Sequence, residues 1–176
     1  MRVPLLGVCP KLWKPGTVLE QVVAGIDIAP TVLEAGGVVT PDHMDGRSFL
    51  RLASGEMDPS EWRQNLLYEY YWEYSYPQTP TTFALRTPRY KFIQYHGIWD
   101  IDELYDLEND PLEQRNLIFA KEHAQRIKKM RADLHKILTE SDAARVPFSH
   151  KKRMGSNLRH RGGSKPADFP PQLMRD

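Results

Sequence analysis

The run from Ala84 to Leu117, ALRTPRYKFIQYHGIWDIDELYDLENDPLEQRNL, constrains the fold of this 176-residue chain more than any other stretch. Residues 82–87 and 89–95 read as two strands joined near Thr87-Pro88-Arg89, a hairpin signal. Residues 103–107 give a third short strand, and Asn109-Asp110-Pro111 stops it in a turn, because Pro has no amide to continue a ladder. Upstream, residues 65–71 (NLLYEYY) are rich in Tyr and Leu and suit another strand. Downstream, apolar residues recur at Ala120, Ala124, Ile127, Met130, Leu134, Ile137 and Leu138. That spacing is one helical stripe over 119–140, with Lys121, Glu122, Lys128, Lys129 and Arg131 on the other face. The fold class this predicts is α+β, with a small antiparallel sheet of about four strands packed by a C-terminal helix. Arg86 is expected to pair with Glu103 or Asp106, and Asn116 to accept amide hydrogen bonds at the helix start.

The N-terminal part has a different texture. Residues 3–8 (VPLLGV) form a continuous apolar run, as in a strand buried on both faces of a mostly parallel sheet. Residues 18–23 (VLEQVV) read as a second short strand. Asp27 is a candidate N-cap for a helix to about Ala35, with Pro30 tolerated in the first turn and Gly36-Gly37 closing it. Asp45-Gly46 marks a turn, and Ser48 begins a short helix through Ala53, closed by Gly55. From Arg145 onward the chain has no sustained period and carries several Gly, Pro and basic residues, so it reads as an extended tail. The expected organisation is therefore 1–58, 59–144 and a basic tail over 145–176.

Charge and cysteine content exclude some classes. The formal net charge is +1, so no global field points to nucleic acid or to a membrane surface. The basic tail clusters, Lys151-Lys152-Arg153 and Arg159-His160-Arg161, read as a solvated tail, or one lying against a partner surface, rather than a site for nucleic acid or a polyanionic glycan. No run approaches the ~18 apolar residues of a membrane span. The opening MRVPLLGV is too short and too Pro-broken for a signal-peptide core. The single cysteine, Cys9, allows no internal disulfide and reads as a buried thiol at a strand end. The acids Asp100, Asp102, Asp106 and Asp110 do not make an EF-hand, which needs an oxygen ligand and then Gly where this chain has Leu104 and Tyr105. His43 and Asp45 are too few for a metal site.

Four segments resemble the C-terminal region of the sulfatases, and they occur in that family's order. RVPLLGVCPKLWKPGTVLEQVV is similar to the strand-loop-strand that follows the active-site lysine. IDIAPTVLEAGG and the later Asp45-Gly46-Arg47-Ser48 match a D-x-x-P-T helix and a D-G-x-S turn. RTPRYKFI matches R-T-x-x-Y-K-[YF]-I, and ELYDLENDPLEQRNL matches E-L-Y-D-L-x-x-D-P-x-E-x-x-N-L. The stretch YEYYWEY and the HGIWD loop look most like bacterial sulfatases acting on sulfated amino sugars, such as N-acetylglucosamine-6-sulfatases and N-sulfoglucosamine sulfohydrolases.

The resemblance implies that residues 1–58 are the last strand and helices of an alkaline-phosphatase-like α/β domain. It also implies chemistry that lies elsewhere. Such sulfatases use a Cys or Ser in a C-x-P-x-R type motif, oxidised to formylglycine, and a calcium ion held by Asp and Asn side chains. Those residues precede the region matched here, so no catalytic or metal-ligating residue is assigned to this chain. Cys9 is followed at once by Pro10 and has no Arg at the fourth position beyond it. The partner implied is the N-terminal catalytic part, and an apolar surface around Val3 to Val8 is expected where that part is absent. The complete enzyme is expected in the periplasm or outside the cell, acting on a sulfated sugar. His96 and Trp99, in the loop after the hairpin, and Trp72 are the candidate substrate-binding residues, because an aromatic face packs on a sugar ring and His can bond a hydroxyl. The alternative is a stand-alone, non-catalytic module that binds a sulfated glycan or a protein partner.

Overall fold

The computed structural model describes residues 3–72, 79–96 and 101–141. The chain divides into two compact units, Met1–Gln64 and Asn65–Asp176. The expected tail over 145–176 lies outside the described residues.

The second unit carries the sheet. Strands β1 (Leu66–Tyr70), β2 (Thr81–Arg86), β3 (Tyr90–His96) and β4 (Glu103–Asp106) pair antiparallel in the order β1-β2-β3-β4. Thr87 closes the β2–β3 hairpin twice, through its amide to the Tyr90 carbonyl at 2.8 Å and through its hydroxyl to the same carbonyl at 3.0 Å. Alternation along the strands brings Phe83, Leu85, Tyr90, Phe92 and Leu104 into one core, where the stripe Ile127, Met130, Leu134 and Leu138 of helix α3 (Ala124–Glu140) covers them. Phe92, Leu85, Leu104 and Leu134 are fully enclosed. Each such side chain stabilises by about 1.5–3 kcal/mol relative to exposure. Polar contacts fix where α3 lies on the sheet. The Arg131 guanidinium sits 5.5 Å from the Phe92 ring and pairs with Asp102 at 2.9 Å, and His135 Nε2 meets Gln94 Oε1 at 3.1 Å.

Two residue roles differ from those expected. The register sets Arg86 opposite Lys91, and Lys91 opposite Tyr105, so Arg86 belongs to the face that Asp106 does not share. Asp106 is instead taken by Arg89 from the hairpin turn, in a two-pronged contact at 3.0 and 2.7 Å. Glu103 accepts from the hydroxyls of Tyr95 and Tyr105 at 3.1 and 2.8 Å. Asn116 does not begin the helix, which a short 3-10 turn (Lys121–His123) introduces. Its side-chain oxygen accepts from the amides of Leu104 and Ile118, at 3.1 and 3.0 Å, and its amide donates to the Asp102 carbonyl at 3.2 Å. Asn116 thus stitches β4 to the segment leading into α3.

The first unit is built around a carboxylate. Helix α1 (Ile28–Ala35) follows a 3-10 turn (Gly25–Asp27), and the short α2 (Leu50–Ser54) lies further along. Asp27 does not cap α1 through its side chain; it is completely buried and turned elsewhere. Its carboxylate accepts from the amides of Ala24 and Arg47, each at 2.8 Å, and pairs with the Arg63 guanidinium. One turn on, the Thr31 hydroxyl donates to the Asp27 carbonyl at 2.7 Å and accepts from the Phe49 amide at 3.1 Å. Gly46 is required here by close approach, because a Cβ at that position would lie 1.8 Å from the Ile26 carbonyl oxygen. Trp62 is buried, with Nε1 donating to the Val22 carbonyl at 2.9 Å and the guanidinium groups of Arg47 and Arg63 5.3 and 5.2 Å from its ring. Asp27, Thr31 and Gly46 therefore make one clasp, with Pro30 fully buried in the same helix, which explains in physical terms why the D-x-x-P-T and D-G-x-S sequences go together.

Residues 3–8 and 18–23 do not form strands, and no strand occurs among the described residues of this unit. A strand exists only when a neighbour takes its amides and carbonyls. The apolar side chains that a sheet would cover are in the open, with Val3 74%, Leu6 93% and Val8 89% exposed. Cys9 is half-buried in a turn rather than at a strand end, its carbonyl accepting from the amides of Leu12 and Trp13 at 2.9 and 3.1 Å.

Candidate functional site

One end of the sheet gathers two of the three candidate sugar-contacting positions. Tyr71 packs against the core, edge-on to Phe83 with ring centroids 5.9 Å apart, and the next residue, Trp72, is turned outward and 49% exposed. The Trp72 amide donates to the Thr81 hydroxyl at 2.8 Å. Thr81 is buried at the start of β2, and its Cα lies opposite that of His96, the last residue of β3. Trp72 and His96 thus stand on either side of Thr81, at the end of the sheet where the chain leaves β1 and β3. Trp99 lies outside the described residues. Thr81 was not singled out from sequence, and its anchoring role was legible only as a hydroxyl residue beginning a strand.

The opposite end of the sheet is a charged turn. The Arg89 guanidinium, followed by the Asn109 amide group, holds the Asp106 carboxyl well below the usual carboxylate range, and Asp106 raises Arg89 in return. Burial is the main cause of the upward shift of Tyr90, and of Tyr105, where the bond to Glu103 adds to it. Glu113 adopts a left-handed backbone (φ 57°) while its carboxylate pairs with Lys91. Asp110 accepts from the amides of Gln114 and Arg115 at 3.1 and 2.8 Å.

These acids do not fit a calcium ion, which gathers six to eight oxygens. Asp102, Asp106 and Asp110 are committed to Arg131, to Arg89 and to backbone amides respectively. Among the described residues no three His, Cys, Asp or Glu side chains are gathered as a metal site. The described residues also contain no helix long and apolar enough to cross a membrane. The arrangement offers an exposed aromatic ring and a nearby histidine position at one end of the sheet.

Comparison with known proteins agrees with the motifs. Residues 1–140 match the family described as N-sulphoglucosamine sulphohydrolase, C-terminal. An N-acetylglucosamine-6-O-sulfatase of Bacteroides thetaiotaomicron is 31% identical over 133 residues, covering 73% of this chain and 23% of that protein. An ulvan-active sulfatase of Formosa agariphila is 29% identical over 143 residues, covering 66% of this chain and 29% of its own length. Among solved structures, a protein in complex with its substrate D-glucosamine-2-N,6-O-disulfate superposes with a TM-score of 0.64 at 28% identity, over 77% of this chain and 28% of that one. The chain thus spans about a quarter of the length of the curated relatives it matches. The matching sheet, helix and motifs together place it: this chain belongs to the N-sulphoglucosamine sulphohydrolase C-terminal family, the C-terminal region of the alkaline-phosphatase-like sulfatases.

Proposed function

We propose that this chain serves as the C-terminal part of a sulfuric ester hydrolase acting on sulfated carbohydrates. In this reading it supports and borders an active site whose nucleophile and calcium ligands come from the catalytic part that precedes it in the family. Trp72, His96 and Trp99 face the sugar, and Thr81 fixes the Trp72 backbone beside the His96 position. Alone, the chain is inactive. The complete enzyme works in the periplasm or outside the cell.

The observation that carries this reading is the family match over residues 1–140, together with the sulfatases named among the relatives. The clasp around Asp27 supports it from the structural side. The clasp commits Asp27, Thr31 and Gly46 of the family's motifs to architecture.

A graft tests it. This chain replaces the matching C-terminal quarter of the Bacteroides N-acetylglucosamine-6-O-sulfatase, and sulfate release from 6-sulfated N-acetylglucosamine is measured. The expected result is turnover by the graft and none by this chain alone. Trp72→Ala or His96→Ala in the graft should raise KM by about tenfold, the loss of roughly one good contact. Sulfate release by the isolated chain would overturn the reading. So would a graft that folds, by circular dichroism, yet hydrolyses nothing.

A further inference from the structure

The second unit carries an open groove of about 580 Å³, lined by Ile101, Arg115, Phe119, Lys121 and Glu122 among others. That volume is within the range of small-molecule sites. Three features of its lining call for explanation. First, of the consecutive residues Leu117, Ile118 and Phe119, the first two pack on the core, while the largest remains 44% exposed in the groove. Second, Arg89, Lys91, Lys129, Arg131 and Lys136 of this unit each hold a carboxylate. Arg115 and Lys121 line the groove, are exposed and hold none among the described residues; the exposed Arg126 and Lys128 of α3 likewise hold none. Third, the backbone beneath them is rigid, since Asp110 takes the Arg115 amide at 2.8 Å and Asn116 bonds Leu104, Ile118 and Asp102. An apolar ring, two uncommitted cations and a fixed floor together make a surface suited to a ligand with a flat apolar face and an anionic substituent.

We propose that this groove binds a sulfated sugar residue of a glycan chain, with the Phe119 ring against a sugar face, Arg115 and Lys121 on the sulfate, and Glu122 accepting from a hydroxyl. The inference rests on the reading that this chain meets sulfated carbohydrate. It uses none of the residues assigned to the sugar there. A sulfate offers several acceptor oxygens, and an Arg can engage two at once, which makes such contacts stronger than neutral hydrogen bonds. A ring stacked on Phe119 would contribute contact area with little ordering cost.

Calorimetric titration of the full chain with a heparin-derived sulfated tetrasaccharide, and with its desulfated counterpart, tests this. The sulfated form should bind, and the desulfated form should bind at least about tenfold more weakly. Arg115→Ala combined with Lys121→Ala should lower affinity by about tenfold or more, and Phe119→Ala by several-fold, with unchanged thermal melts because all three side chains are exposed. Replacing Lys151, Lys152 and Arg153 of the tail by Ala should leave the affinity near that of the parent. No measurable binding, equal affinity for the desulfated form, or loss produced by the tail changes or by Trp72→Ala instead of the groove variants would each overturn the inference. The two readings fail separately. A graft that cleaves substrate while the chain shows no groove-dependent binding keeps the function and removes the groove. Groove-dependent binding beside a folded, inert graft does the reverse.

Discussion

The two units of this chain are held together by different physics. Asn65–Asp176 has an apolar interior, in which nine buried side chains from three strands and one helix pack on each other. Met1–Gln64 is organised by hydrogen bonds that converge on one buried carboxylate, while Val3, Leu6, Val8 and Val39 remain open to solvent. A unit that hides its apolar residues is stabilised by burial it performs itself. A unit that displays them has the composition of a core and only part of the covering. This agrees with relatives of which the chain covers about a quarter.

The comparison is broken most sharply by attacking the self-sufficient unit. Phe92 is fully enclosed between the sheet and α3, with Arg131 over its ring. Phe92→Ala should cost about 3–5 kcal/mol, the range for removing an enclosed aromatic ring. Amide exchange should accelerate throughout the strands and α3 together. A loss below about 1 kcal/mol would mean that this core does not carry the unit.

Asp27→Ala comes next. It strands the Ala24 and Arg47 amides and leaves the largely buried Arg63 guanidinium without its carboxylate. Breaking a buried pair of this kind costs about 3 kcal/mol. The effect should appear as faster exchange across residues 24–63, with the sheet unaffected. Asp27→Asn keeps one acceptor and should fall between the variant and the parent.

How much of this was readable beforehand follows the same division. The hairpin, β4 and α3 were legible because each states its partner locally, through period-two alternation, a two- to four-residue turn, or a helical stripe. The clasp was not legible, because Asp27 meets Arg47 and Arg63 at separations of 20 and 36 residues, and nothing in a local window reports such pairings. The motif resemblance marked Asp27, Thr31 and Gly46 as belonging together without saying why. The VPLLGV run misled for a further reason. A continuous apolar stretch reads as a buried strand whether or not its neighbours are in the chain, and a strand needs their backbone groups to form. Arg86 was expected to pair with Glu103 or Asp106, whereas strand parity places Arg86 and Asp106 on opposite faces, Arg89 takes Asp106, and Glu103 accepts from the Tyr95 and Tyr105 hydroxyls. At the end of the sheet where Trp72 and the His96 position lie, the buried Thr81 between them was missed because one Thr among Thr79, Thr81 and Thr82 at a strand start carries no distinguishing pattern.

Acid provides a milder way to separate the units. Asp106 is held below its ordinary value by Arg89, so its contribution is fully present above the unfolded carboxyl value near about 4 and is lost as pH falls below it. The melting temperature of the sheet-and-helix unit should therefore decline as pH drops below about 4. Asp106→Asn should flatten that decline. If the variant and the parent fall in parallel, the Arg89 pair is not its source.

The smallest expected effect on stability is also the most direct probe of the exposed apolar surface. Leu6 and Val39 are 93% and 88% exposed, so replacing both by Ser removes almost no buried area. Surface changes of this sort usually move stability by less than about 0.5 kcal/mol. Uptake of an apolar fluorescent dye depends on the exposed patch itself, and it should fall clearly. A stability loss of several times that size, with dye uptake unchanged, would mean that Leu6 and Val39 are covered in solution. In that case the first unit would have an interior of its own, and the contrast between carboxylate-centred and core-centred organisation would no longer hold.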